Sequence, residues 1–105
     1  MDSRELENRI NNWIKESIEE IVKEEYQKVG YYGVKPNVGI TFQENISVYI
    51  NTEVPFVSNN QVFWEMVERI KARIFEVIKN FGYVPVMKTK FFYDFLVLRY
   101  EFKIS

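Results

Sequence analysis

Residues 29–42 read VGYYGVKPNVGITF, and residues 81–92 read FGYVPVMKTKFF. Each runs from a glycine that can stop a helix, through tyrosine and proline, into residues with the alternation of a strand. What flanks each stretch decides the fold. Upstream of Gly30, Leu6, Ile10, Trp13, Ile14, Ile18, Ile21, Val22 and Val29 recur at helical spacing in a stripe nearly half the circumference wide. Such a helix is covered on two sides. Upstream of Gly82, Phe63, Met66, Val67, Ile70, Ile74, Val77, Ile78 and Phe81 hold a narrower arc. Asp2 with Glu5, and Ser58 with Gln61, have the spacing of capping boxes, with Met1–Leu6 and Val57–Val62 as hydrophobic staples. These marks predict helices over 2–29 and 58–81. Trp64 and Phe75 fall on one shoulder of the second helix, which is expected to pack sideways against the first.

Downstream of the first stop, Val38, Ile40 and Phe42 alternate with Gly39, Thr41 and Gln43, and Ile46, Val48, Ile50 and Val54 continue the pattern. A hairpin within 37–54 follows, turning at Gln43-Glu44-Asn45, where Asn45 tolerates a left-handed backbone. With Phe42 opposite Ile46, Tyr49 falls opposite Gly39 on the outer face and covers it. The second hairpin lies within 84–104 and contains KTKFFYDFLVLRYEFK at 88–103. A tight turn at Tyr93-Asp94 pairs Phe91 with Leu96, Thr89 with Leu98 and Met87 with Tyr100. All six then face the core with Phe102 and Ile104. The other face collects Val86, Lys88, Lys90, Val97, Arg99 and Glu101, with Phe92, Phe95 and Lys103 at its margins. In this register Lys88 opposes Arg99, a like-charge pair that suggests an anionic neighbour.

Helix and hairpin, twice over, imply an α+β domain, α-β-β-α-β-β, with one four-stranded antiparallel sheet and both helices on one face. Avoiding a left-handed crossover gives strand order 3-4-2-1, a permuted ferredoxin-like arrangement. In topology this layout resembles the core of LAGLIDADG homing endonucleases, which lay an open sheet on DNA. Those enzymes end the first helix in small residues and a catalytic acid before glycine. Here that helix ends YQKVG, with Val29 before Gly30, so the resemblance implies a fold and carries no site or activity.

The 105 residues suffice for one domain, 1–105, with its own core. At 47% apolar and 17% aromatic the chain is too hydrophobic for disorder, and no apolar run has the length of a membrane span. MDSRELENRI has neither the basic nor the apolar region of a secretory leader, so a cytoplasmic location is expected, with no membrane partner. Formal charge is −1. Acids outnumber bases in residues 1–29, the two balance in 30–85, and bases outnumber acids in 86–105. That basic excess is far below what holds a duplex through its phosphates.

Chemistry is sparse. With no cysteine and no histidine, thiolate nucleophiles, disulfides and the commonest general base and metal ligand are all missing. Asp94…Glu101-Phe-Lys103 has the outline of a D…ExK metal-nuclease pattern. Along a strand, however, those acids stand about 23 Å apart, and one cation needs each within about 2–2.5 Å. Glu16, Glu19, Glu20, Glu24 and Glu25 form the strongest charge run, expected as a solvated helix face. No phosphate-binding loop, dinucleotide fingerprint or metal-ligand spacing occurs. The expectation is therefore a non-enzymatic protein with no cofactor and no metal.

What remains is the open sheet face: Tyr49, Val86, Lys88, Lys90, Phe92, Phe95, Val97 and Arg99. About half apolar, it suits burial against a second copy or a protein partner. A homodimeric binding or adaptor module ranks first. Single-stranded nucleic-acid binding, with aromatics stacking bases and cations meeting phosphates, ranks second.

Overall fold

The computed structural model describes residues 3–43, 47–83, 85–92 and 96–104. Helix α1 spans Ser3–Lys28, strands β1 and β2 span Asn37–Gln43 and Ser47–Pro55, helix α2 spans Gln61–Asn80, and strands β3 and β4 span Val86–Phe92 and Val97–Ile104. All strand pairs are antiparallel, in the order β1-β2-β4-β3. That is the expected order read from its other edge. Asp2, the turn residues Glu44 and Asn45, the turn at Tyr93-Asp94, and Phe95 lie outside the described residues.

The core is the layer between helices and sheet. Ile14, Ile18, Ile21 and Val22 of α1 and Phe63, Met66, Val67, Ile70, Ile74 and Ile78 of α2 meet Val38, Ile50, Val54, Leu98, Tyr100 and Phe102. The contributions of β4 fall at alternate residues, as pleating requires, and Met87 and Phe91 of β3 pack against this cluster partly buried. Tyr26 and Tyr100 are buried too, and each phenol donates to a backbone carbonyl, Tyr26 to Pro55 and Tyr100 to Val67 at 3.0 Å. Burial pushes both phenols far above the ordinary tyrosine pKa, so both stay neutral donors.

Several expectations need correction. The N-cap of α2 is Asn60, not Ser58: its side chain accepts from the Phe63 N–H at 2.8 Å while its own backbone stays extended. Trp64 and Phe75 turn away from α1. Trp64 packs against Phe56 and Phe91, with ring centroids 5.9 and 6.4 Å away, and Phe75 shares a hollow with Met87 of β3. The shoulder facing α1 is the opposite one, where Arg73 and Val77 line a groove with Ser17 and Ile21. Trp13, stacked on Phe81 at 6.3 Å, is still 56% exposed, so the wide stripe of α1 is not covered across its whole breadth.

Both hairpins are displaced by two residues from the expected registers. Tyr49 faces Thr41, and Gly39 faces Asn51. Lys88 faces Glu101, and Lys90 faces Arg99. A shift of two keeps every side chain on its expected face, so hydrophobic alternation cannot distinguish the two registers. Like-charge repulsion does not decide it either, because the observed pairing sets Lys88 against Glu101 but brings Lys90 opposite Arg99.

The acidic run on α1 is not uniformly solvated. Glu25 is 1% exposed. Its carboxylate accepts from Lys28 Nζ at 3.0 Å, Arg69 Nε at 3.0 Å and Arg73 at 3.1 Å, while Arg73 also reaches Glu24 at 2.7 Å. This cluster joins α1 to α2.

Candidate functional site

Both helices lie on one side of the sheet, so the outward side chains of the four strands form a face that no element of the described chain covers. Antiparallel pairing sets these side chains in rows across the strands. One row holds Asn37, Glu53, Arg99 and Lys90, the next Gly39, Asn51, Glu101 and Lys88, and the third Thr41, Tyr49, Lys103 and Val86. At the opposite end, Val97 stands between Pro55 and Phe92.

Seven of the eight residues expected at this site, all but Phe95, are thus on one face: Tyr49, Val86, Lys88, Lys90, Phe92, Val97 and Arg99. The middle rows are an ion-paired ladder. Arg99 Nε donates to Glu53 at 3.0 Å, another Arg99 nitrogen lies 3.7 Å from Glu101, and Lys90 Nζ lies 3.3 Å from the other Glu101 oxygen. The bond to Glu53 holds the Arg99 guanidinium above even its usual high pKa, against the opposing effect of desolvation. Lys88 and Lys103 are the cations of this face that lack a carboxylate partner among the described residues.

The aromatic rings are partly occupied. The Arg99 guanidinium sits 4.9 Å from the centre of the Phe92 ring, and the Lys103 ammonium 5.8 Å from that of Tyr49. Both distances fall within cation–π range. Toward the third row the face dips into an open depression of about 510 Å3, lined by Thr41, Tyr49, Asn51, Val86, Lys88, Glu101 and Lys103. Val86 beside it is 65% exposed, while Tyr49, Phe92 and Val97 are half-buried among their neighbours.

Sequence inspection missed Glu53 and undervalued Lys103. The signal was available in strand parity. Glu53 has the parity of Tyr49 on β2, and Lys103 that of Arg99 on β4, so each pair shares a face. What parity could not show is that β2 and β4 are neighbours with Glu53 level with Arg99. Glu101, which the sequence places on the outer face, forms ion pairs with both Lys90 and Arg99.

Among the described residues, no group of three or more acidic, cysteine or histidine side chains is placed to hold a metal ion, and no helix is long and apolar enough to cross a membrane. No family model matches the chain, and neither a curated protein nor a solved structure matches it.

Proposed function

We propose that this chain is a small homo-oligomeric binding or adaptor protein that acts by contact, without chemistry, through its open sheet face. The observation that carries this is the ion-paired ladder at the centre of the face, in which both acids are matched by cations. Glu53, Arg99, Glu101 and Lys90 neutralise one another, so a partner can cover them without stranding an unpaired acid. On either side of that ladder lie the apolar surfaces of Val86 and Tyr49 and of Val97 and Phe92. A second copy meets such a face with the same apolar patches and the same paired charges.

Single-stranded nucleic acid is the second reading, favoured by Lys88 and Lys103, which leave the face with more cations than acids. Against it, the Phe92 and Tyr49 rings are already approached by Arg99 and Lys103, and base stacking has to displace them.

Sedimentation of the wild type and of Val97→Glu tests the first reading. The expected result is a wild type that self-associates and a folded variant that loses the contact made through the sheet face and sediments at lower mass, because Val97 lies outside the core. A wild type that stays monomeric at high concentration, or a variant that unfolds instead of dissociating, refutes it.

A further inference from the structure

The sheet has two edges, and they differ. In the order β1-β2-β4-β3, β1 and β3 each have one neighbour, and alternate residues of an antiparallel edge strand turn both backbone groups away from that neighbour. Such an edge pairs with another strand unless something blocks it. The β3 edge is blocked by charge, since Lys88 and Lys90 would meet their counterparts in a second copy. Strand β1, NVGITFQ, has no charged residue and no proline over its whole length. Its outward positions Asn37, Gly39 and Thr41 are small or polar and exposed, and a Cβ built on Gly39 has open space around it. Among the described residues, no side chain or loop bonds to the β1 backbone from outside the sheet.

We infer that the β1 edge is a second self-association surface, on which β1 of one copy pairs antiparallel with β1 of another to make one continuous sheet. A second copy fits because twofold antiparallel pairing matches donors with acceptors and sets uncharged residues against uncharged residues. It also places Val38 and Ile40, which face the core layer at this edge, beside the same residues of the partner. Glu16, Glu19 and Glu20 of α1 line a groove with Lys23 and the segment just before β1. The two α1 helices therefore repel at low salt, and the pairing is best measured at moderate ionic strength.

The experiment combines sedimentation with amide hydrogen exchange on the full chain, using the wild type, Gly39→Lys, Thr41→Lys and Val97→Glu. Edge pairing predicts that the edge-directed amides of Asn37–Gln43 become protected as concentration rises. It further predicts that each lysine variant weakens association by about tenfold or more, because twofold symmetry doubles each like-charge contact. Val97→Glu leaves this protection unchanged. Two lysine variants are used so that a folding defect in one leaves the other to decide. Association abolished by Val97→Glu and untouched by both lysine variants overturns the edge inference while supporting the sheet-face proposal. Association lost in the lysine variants alone, with β1 amides protected in the wild type, does the reverse. A wild type that never associates overturns both.

Discussion

Arg69 on α2 donates through Nε to a carboxylate oxygen of Glu25 on α1 at 3.0 Å, across the seam where the two helices meet. The two residues are unequally placed, because Glu25 is 1% exposed and Arg69 is 45% exposed. A charge confined to the interior depends on its partners, whereas one at the surface can turn to water.

That inequality makes the cost of mutation one-sided. Removing both arginines, Arg69→Ala with Arg73→Ala, leaves a buried carboxylate with Lys28 as its remaining partner, at an expected cost of about 2–4 kcal/mol. Glu25→Leu instead releases three partly exposed cations to solvent and fills the site with apolar volume, so it is expected to stay within about 1 kcal/mol of wild type. Urea denaturation of the two variants checks the order. A Glu25→Leu loss as large as that of the double arginine variant contradicts it.

The same cluster fixes a direction for acid unfolding. Burial alone pushes the Glu25 pKa up, but hydrogen bonds from Arg69, Lys28 and Arg73 outweigh it and hold the folded-state value below the ordinary 4.5. A carboxyl whose pKa is depressed by folding stabilises the protein fully above its unfolded pKa, and that stability is lost as pH falls through the folded value. The Glu25 contribution is thus complete near neutrality and declines only below about pH 4.5. Thermal melts from neutral to acid pH should show the wild type losing more stability than Glu25→Leu in that lower range. Parallel curves there contradict the assignment.

How far the fold was legible depended on whether periodicity alone could decide a question. Ile14, Ile18, Ile70 and Ile74 announce their helix faces, and Leu98, Tyr100 and Phe102 announce a strand face, because burial imposes the period directly. The hairpin registers were not legible, since alternation is blind to a shift of two and the pairing of Lys88 with Glu101 appears only in three dimensions. Tyr26 shares the stripe of Ile18 and Val22, and its spacing could have placed it in the core. Glu25 lies on that stripe as well, but as a carboxylate it looked like part of the solvated run. Its burial follows from two arginines on another helix, a contact that local pattern cannot reveal. At the candidate site, parity alone placed the outward residues of β3 and β4 on one face, whereas the ladder needed the β2–β4 pairing.

The start of α2 separates two candidate caps. Asn60 accepts from the Phe63 N–H, and losing that acceptor is expected to cost about 1 kcal/mol in Asn60→Ala. Ser58 lies outside the helix, before the cap residue, so Ser58→Ala is expected to fall within about 0.5 kcal/mol of wild type. Chemical denaturation of both variants distinguishes them, and equal losses contradict the Asn60 cap.

Lys88 and Lys103 give the remaining test of what the open face meets. The ladder uses Lys90 and Arg99 internally, so these two lysines are the groups with which the face would hold a phosphate chain. If they do, the wild type binds single-stranded oligonucleotide with an affinity that falls with salt at a slope of about −0.7 per phosphate contacted, and Lys88→Glu with Lys103→Glu abolishes it. If the face serves self-association, as proposed, the oligonucleotide shows no measurable binding at moderate salt. The double variant then changes sedimentation alone. The second outcome is expected. The acids of α1 set a repulsive field for polyanions, and the Tyr49 and Phe92 rings stand under cations that stacking has to displace. Fluorescence anisotropy with a labelled oligonucleotide, titrated at several salt concentrations, decides between them. Tight, salt-sensitive binding by the wild type that disappears in the double variant would put nucleic acid first and make Tyr49 and Phe92 the next residues to replace.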